Sequence, residues 1–236
     1  MTLEPGSADI IALAWARHLG FDDGDFAAAA GERLTRADDS RRSVDFIRLF
    51  GTSALVGPQW VLDAAAGIPD EELAQHVTLL TLTRPHGGHG LGAAALFFAD
   101  ELPLLQPAEQ LTVSHGNPEA VELEGRCPPD DVNEVRLSEL PHRFTILRDD
   151  VGQSVPVACG AYAEWEGILA EIGVLVDPEW RRRGLGSLAA SVAAHEALAS
   201  GLTLQWRSDV SNKGSLAIAR SLGFAAGGIQ TSVLLG

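Results

Sequence analysis

Cysteine is scarce in this 236-residue sequence, and the two that occur, Cys127 and Cys159, form neither a CxxC pair nor a cluster with histidine. This scarcity argues against a structural metal site and against a disulfide-stabilised scaffold. A chain of this length can bury a hydrophobic core without either device. We therefore expect two reduced thiols and no bound metal.

Long hydrophobic runs and a basic N-terminal region are also missing. The longest apolar stretches, such as Ala93–Ala99, fall far short of the roughly 18 residues of a membrane-spanning helix. Residues 1–8 include no lysine or arginine, unlike the start of a signal peptide. We therefore expect a cytoplasmic protein without a membrane partner.

Positive charge is outnumbered, with 32 acidic against 17 basic residues and a net charge of −15. Such a chain repels the phosphate backbone of nucleic acids, so we expect no nucleic-acid partner. A cationic substrate would be attracted, although acidic surface residues that simply keep the protein soluble are the favoured explanation. The composition, with 46% hydrophobic residues, is that of a globular protein.

Hydrophobic periodicity divides the first half of the chain into helices and strands. The pattern predicts helices over 9–18, 59–66 and 69–80, a strand or strand pair over 43–55, a turn over 85–90 and a strand over 91–98. Proline and glycine are frequent between residues 104 and 129, which indicates irregular chain. We therefore predict a domain boundary there, between an N-terminal α/β domain over 1–110 and a second domain over 111–236.

The second half begins with three apolar segments joined by short turns, which indicates an antiparallel meander. The predicted strands cover 144–147, 155–165 and 169–176. A helix over 183–200, a strand over 202–206, a helix over 212–222 and a strand over 229–235 are predicted to follow. The fold class indicated for the whole chain is therefore α+β.

The segment from Gly173 to Ser187 joins a buried strand to a turn rich in glycine and arginine, which opens a helix. Free backbone N–H groups and the positive end of the helix dipole meet at such a turn, and glycine lets a pyrophosphate approach the backbone. Arg181, Arg182 and Arg183 add positive charge. The segment therefore predicts a site for an anionic phosphate group.

Two nucleotide-binding motifs compete for these residues. A Walker loop is excluded because Ser187, and not lysine, follows Gly186. Gly184, Gly186 and Ala189 fit the dinucleotide pattern GxGxxA, with Asp209 placed to contact a ribose. That interpretation is disfavoured because the first glycine of the pattern should end the strand itself, whereas residues 177–183 intervene here.

The same residues resemble the central motif of the GCN5-related N-acetyltransferase (GNAT) superfamily, [QR]-x-x-G-x-[GA] after a strand, with Arg181, Gly184 and Gly186 in place. The resemblance begins before the motif, at Val174–Pro178, and covers roughly residues 140–236. It continues through a set of residues on and around the last helix: Asn212, Ser215, Ile218, Leu222, Gly223 and Phe224.

The resemblance implies a mixed, mainly antiparallel sheet flanked by helices, with acetyl-CoA as co-substrate and no metal. The N-terminal domain is an addition that would shape the acceptor side; Gly90–Gly92 echoes the GLG of the motif, so this half is interpreted as a degenerate copy of the same fold. The residues implied to bind the cofactor are Val174, Leu175, Val176, Arg181, Arg182, Arg183, Gly184, Leu185, Gly186, Ser187 and Asn212.

The chemistry implied is direct attack of a neutral primary amine, on a small molecule or peptide, upon the thioester. Glu171 is the candidate base, with Glu164 and Glu166 close by in sequence. The family's usual acid is a tyrosine at the position of Ala219, so Ser215 or water is left to protonate the thiolate. Without that tyrosine, a non-catalytic acyl-CoA sensor or interaction module is the alternative. The sequence leaves open whether the protein forms a homodimer.

Overall fold

The computed structural model describes residues 3–29, 31–105, 112–150 and 153–236. The described residues divide into two units: the meander unit, within 98–206 and 214–225, and the N-terminal unit, within 4–97, 207–213 and 226–236. The predicted domain boundary after residue 110 lies within 106–111, outside the described residues. The domain limits and the role of residues 1–110 on the acceptor side therefore stay predictions.

The sheet of the meander unit runs in the order β9-β8-β7-β6-β5. Its strands are β5 (Thr112–Ser114), β6 (His142–Asp150), β7 (Gln153–Trp165), β8 (Leu169–Val176) and β9 (Thr203–Asp209), whose residues 203–206 belong to this unit. Strands β5 to β8 pair antiparallel, and β8 pairs parallel with β9. The predicted antiparallel meander is confirmed, and so is the mixed sheet.

Helices cover both faces of this sheet. They are α6 (Asn117–Arg126), α7 (Pro129–Val135), α8 (Leu185–Ala199) and α9 (Lys213–Leu222). On one face the buried side of α8 is built from alanines, so the helix approaches the sheet closely. On the other face Leu123 of α6 packs with Cys159 and Leu175 of the sheet. Strand β8 therefore lies between two hydrophobic cores, one on each face of the sheet, and α8 packs on one of these faces.

The close approach of α8 to β7 depends on Gly160. A Cβ atom at this position would lie 2.0 Å from the backbone carbonyl oxygen of Ala189, which cannot move without shifting the helix. We expect Gly160→Ala to lower the free energy of unfolding by about 3 kcal/mol, at the upper end of the usual cost of overpacking. Urea unfolding followed by circular dichroism measures the change.

Gly125 of α6 supplies the matched control, because a Cβ atom added there would have no described atom of another part of the chain within 4 Å. Alanine favours a helix over glycine, so Gly125→Ala should raise stability by roughly 0.5–1 kcal/mol. Equal effects of the two substitutions would show that α8 does not pack on Gly160 as described.

The N-terminal unit carries a sheet in the order β1-β3-β2-β10-β4. Its strands are β1 (Arg33–Ala37), β2 (Ser43–Leu49), β3 (Thr52–Gly57), β4 (His89–Ala99) and β10 (Ala225–Leu234). Its helices are α1 (Ser7–Leu19), α2 (Asp25–Ala28), α3 (Gln59–Ala65), α4 (Asp70–Leu73) and α5 (His76–Thr83). Strands β2 and β3 pair antiparallel, which confirms the predicted strand pair over 43–55.

The single helix predicted over 69–80 is wrong, because α4 and α5 are separate. Gln75 between them has an extended backbone, with φ −88° and ψ 122°. The carbonyl of Ala74 accepts a hydrogen bond from Oγ1 of Thr231 at 2.7 Å. A tertiary hydrogen bond therefore takes up the carbonyl at the break, an effect that local propensity does not contain.

The irregular chain predicted for 104–129 is also wrong in part, because α6 occupies residues 117–126. Ala120 and Leu123 are buried at helical spacing, and Pro118 stands in the first turn, where its missing N–H costs nothing. Pro129 opens α7 in the same way. Two of the prolines that suggested irregular chain, Pro118 and Pro129, therefore lie in the first turns of helices.

Among the described residues, no helix combines the length and apolar character that crossing a membrane would require. Nor does that part of the chain bring three histidine, cysteine or acidic side chains together as metal ligands. In the PHGGHG segment, His86 stacks on Trp60 with ring centroids 3.7 Å apart. The second histidine, His89, contacts the carbonyl oxygen of Gly87 through Nδ1 at 2.8 Å.

Candidate functional site

The backbone of β8 divides its hydrogen-bonding groups between two sides. The amide of Asp177, just after the strand, donates to the carbonyl of Val157 on β7 at 3.0 Å. Hydrogen-bonded and non-bonded positions alternate along an antiparallel pair, so the N–H and C=O of Val176 and Val174 point away from β7. By the same register, Leu175 directs both of its groups to β7.

On the side away from β7, strand β9 accompanies β8 for only part of its length. The parallel register joins Leu169–Glu171 to Thr203–Gln205, whereas β8 continues to Val176. The backbone groups of Val174 and Val176 on this side therefore lie beyond the paired stretch. A ligand with amide groups can add there as a further strand would.

The turn after β8 leads directly into the N-terminus of α8. Gly184 is the N-cap residue, in the left-handed conformation with φ 81°, and no side chain caps the helix. The first intrahelical bond is donated by Leu188 to the carbonyl of Gly184. The preceding amides, of Leu185, Gly186 and Ser187, are those that a helix leaves without an intrahelical acceptor, and they face the positive end of the dipole.

The three arginines of the turn differ in their contacts. Arg181 donates through Nε to the carbonyl of Val176 at 3.2 Å and forms an ion pair of 2.6 Å with Asp131 of α7. Its guanidinium thus links the end of β8 to α7. Arg182 is exposed and has a left-handed backbone, with φ 61°.

Arg183 takes part in a cationic stack on the 3₁₀ turn Pro178–Trp180. Its guanidinium lies 4.5 Å from the ring centroid of Trp180, and that of Arg148 from β6 lies 4.8 Å from the same ring. Arg148 was not predicted, because residues so far apart in sequence give no signal of meeting. The stack concentrates positive charge beside the N-terminus of α8.

Glu171, the predicted base, lies at the last position of β8 that pairs with β9, and it is half-buried. Nε2 of Gln205, a fully buried residue of β9, donates a hydrogen bond to Oε2 of Glu171. Glu164 and Glu166, the other acids considered, are both exposed. Of the three acids, Glu171 is therefore the one that is half-buried, and a buried residue of the neighbouring strand bonds to it.

Gln205 was not predicted, although the sequence carries a faint signal for it. Leu204 and Trp206 are apolar neighbours in an apolar strand, and a glutamine between them points to the opposite face. Whether that face is buried depends on strand pairing, which the sequence does not contain.

The predicted acid, Ser215, already has a partner in the core. Its Oγ accepts a hydrogen bond of 2.9 Å from Nε1 of Trp206, which is buried and packs edge-on against Phe224. Ala219, at the family's tyrosine position, is fully buried. Asn212 immediately precedes α9 and belongs to the N-terminal unit, so its contact with a cofactor stays a prediction.

Cys127, at the end of α6, contacts the site from the side. Its Sγ donates to the carbonyl of Val176 at 3.7 Å. Burial raises the pKa of this thiol to about 11, although the nearby Arg181 acts in the opposite direction. Burial also raises the pKa of Cys159. Both thiols are therefore protonated at neutral pH.

This protonation predicts slow alkylation of Cys127. Because thiolate is the reactive form and a pKa of about 11 lies well above the ordinary 9.0, the thiolate fraction at pH 8 falls about 100-fold. Iodoacetamide at pH 8 should modify the native protein at least ~100-fold more slowly than the urea-unfolded protein, as followed by mass spectrometry. Equal rates in the two states would contradict the described burial.

Residues 104–224, just over half of the chain, match the model of the acetyltransferase (GNAT) family. The chain therefore belongs to the GNAT acetyltransferase family, which uses acyl-CoA as co-substrate. No curated protein matches the sequence.

Solved structures with related chains include GCN5-related N-acetyltransferases from Kribbella flavida and Sphaerobacter thermophilus. The first is 21% identical over 66% of this chain and 63% of its own, with a TM-score of 0.48. The second is 18% identical over 66% of this chain and 55% of its own, with a TM-score of 0.47. The match spans less than two thirds of each, and the family assignment does not rest on them.

Proposed function

We propose that this chain is an N-acetyltransferase that transfers the acetyl group of acetyl-CoA to a primary amine of a small molecule or peptide. The observation that carries the proposal is the continuity of β8 with the N-terminus of α8. Strand backbone beyond the β9 pairing, at Val174 and Val176, is followed across the turn of residues 177–184 by the uncapped first turn of α8 at Leu185. Acetyl-CoA combines groups suited to both: amides in its pantetheine arm and a pyrophosphate.

Val174 and Val176 would hold the amides of the pantetheine arm. The carbonyl of Val176 is engaged by Arg181 and Cys127, which leaves its N–H and both groups of Val174 for this role. Because the backbone N–H and C=O of Leu175 bond to β7, Leu175 could contribute to the cofactor site only through its buried side chain. The amides of Leu185, Gly186 and Ser187 would receive the pyrophosphate, with Arg182 and Arg183 neutralising its charge.

The reaction proposed is a direct displacement. The amine nitrogen bonds to the thioester carbonyl carbon, the bond from that carbon to sulfur breaks, and CoA leaves as thiolate. Glu171 takes the proton that the amine loses. Ser215 is a weak candidate for protonating the thiolate because the indole N–H of the buried Trp206 donates to its oxygen and fixes its position, so water remains the alternative. A thiolate is a tolerable leaving group without protonation, since ordinary thiols have a pKa of about 8.5 to 9.

A non-catalytic acyl-CoA sensor is the second candidate, and one observation favours it. The position of the family's usual acid is filled by the fully buried Ala219, which has no group to donate. The backbone of β8 and the N-terminus of α8 could bind acyl-CoA equally well in a sensor.

Release of free CoA separates the two candidates. Purified protein is incubated with acetyl-CoA, with and without a panel of polyamines, aminoglycosides, amino acids and peptides, and free thiol is measured. Release that depends on an amine supports the enzyme, and mass spectrometry of the product identifies an N-acetyl group. Binding of acetyl-CoA by calorimetry without release on any amine supports the sensor, and absence of binding would refute both.

A further inference from the structure

Gln205 of β9 is a polar residue in an unusual place. Its accessible surface is zero, and it lies opposite Glu171 in the parallel register, at the last residue pair between β8 and β9. Paired residues of neighbouring strands project to the same face of a sheet. The two side chains therefore meet where the pairing of β8 with β9 ends and the proposed pantetheine groove begins.

The direction of their hydrogen bond fixes what Gln205 can do. Nε2 of Gln205 donates to Oε2 of Glu171. A primary amide adds no charge and reaches one oxygen through one N–H, whereas an arginine commonly engages both oxygens of a carboxylate. The contact can therefore orient the carboxylate without neutralising it, as a base requires.

The burial of Gln205 makes this orientation rigid. A glutamate side chain has several rotamers to lose when it is held in one geometry. Because Gln205 is buried, its side-chain amide is held in one position on the sheet. On the same face, Val135 of α7 lies against Gly173, where a Cβ atom would come within 2.7 Å of it, so the neighbouring position on β8 is covered as well.

We propose that Gln205 is a positioning residue for the proton-accepting carboxylate of Glu171. The inference rests on the proposed function, because it presupposes that Glu171 accepts the proton of the amine. Gln205 lies on β9 opposite Glu171, and it is not among the residues proposed to hold acetyl-CoA. Its removal should therefore affect the chemical step and leave the binding of acetyl-CoA unchanged.

The test compares Gln205→Leu and Gln205→Glu with Thr145→Val, a matched control at a fully buried polar position two strands from β8. The probe is the amine that gives the fastest CoA release with the unaltered protein. We expect Gln205→Leu to lower kcat about 10- to 100-fold, since a misplaced catalytic group costs rate. Its KM for acetyl-CoA and its calorimetric affinity for CoA should change less than ~2-fold.

Gln205→Glu supplies a readout that a purely structural role would not move. Two carboxylates in contact cannot both ionise readily, so a proton is retained between them near neutral pH. The rate with this variant should recover as the pH is raised, shifting the acid side of the pH profile by roughly one unit or more. The profile of Thr145→Val should coincide with that of the unaltered protein.

The outcomes distinguish this inference from the proposed function. If the unaltered protein acetylates an amine and Gln205→Leu retains the kcat of Thr145→Val, the positioning role is overturned and the enzyme stands. If Gln205→Leu loses thermal stability and CoA affinity along with kcat, the residue is structural and the inference fails. If the unaltered protein binds acetyl-CoA but acetylates no amine, both proposals fail.

Discussion

Replacing Glu171 by glutamine is expected to lower kcat by about 100-fold or more while CoA still binds. Glutamine has the shape of glutamate and can meet the amide of Gln205, but it cannot accept a proton from the attacking amine. General-base catalysis typically contributes ~10²–10⁴-fold. Steady-state release of CoA across a pH series, together with calorimetric titration of CoA, measures both quantities.

Glu164→Gln is the matched control for this experiment. Glu164 is an exposed acid on the neighbouring strand β7, whereas Glu171 is half-buried and held by Gln205. The control should change kcat less than ~2-fold. An unchanged rate in Glu171→Gln would remove Glu171 as the base, and a larger loss in Glu164→Gln would transfer the role to that residue.

The elements of the site could be predicted from the sequence because their signals are local. The apolar run of β8 and the glycines at 184 and 186 each depend on a few neighbouring residues. The meander followed from the turn residues between β6, β7 and β8. Strand type and helix start are properties that neighbouring residues determine, which is why the phosphate turn was recognisable.

The contacts that define the site could not be predicted, because they join segments distant in sequence. Arg181 is engaged by Asp131, fifty positions away, and Glu171 by Gln205, thirty-four positions away. Arg148 meets Trp180 only because β6 and the turn after β8 fold together. The limited backbone contribution of Leu175 likewise follows from strand register, which no periodicity reveals.

Gly186 has a packing role in the structure that its sequence motif does not indicate, and this role affects the choice of substitution. From the sequence it is a residue that lets phosphate approach, so a bulky acid there should abolish binding. In the structure Gly186 is buried, and a Cβ atom would lie 3.0 Å from Cδ1 of Ile218 and 3.2 Å from Cγ2 of Val176. A loss of binding in Gly186→Glu would therefore mix altered packing with altered recognition, and a probe is needed that adds charge outside the buried core.

Ser187→Asp is such a probe, and it should reduce the affinity for CoA at least ~100-fold without destabilising the protein. Ser187 lies in the first turn of α8 and is only half-buried. A carboxylate in that turn is favourable to the helix dipole, by about 0.3–1 kcal/mol. The same carboxylate would repel a pyrophosphate bound to the adjacent amides, by ~4 kcal/mol per pair of unit charges at 4 Å and an effective dielectric constant of 20.

Ser200→Asp, at the opposite end of the same helix, completes the experiment. Ser200 is the exposed C-cap residue of α8, about 20 Å from the first turn of a 15-residue helix. A carboxylate there opposes the dipole, so stability should fall slightly while CoA affinity stays unchanged. Calorimetry should therefore show weaker CoA binding in Ser187→Asp alone, and thermal unfolding should show lower stability in Ser200→Asp alone. If Ser187→Asp binds CoA as tightly as Ser200→Asp does, the pyrophosphate does not bind at the N-terminus of α8.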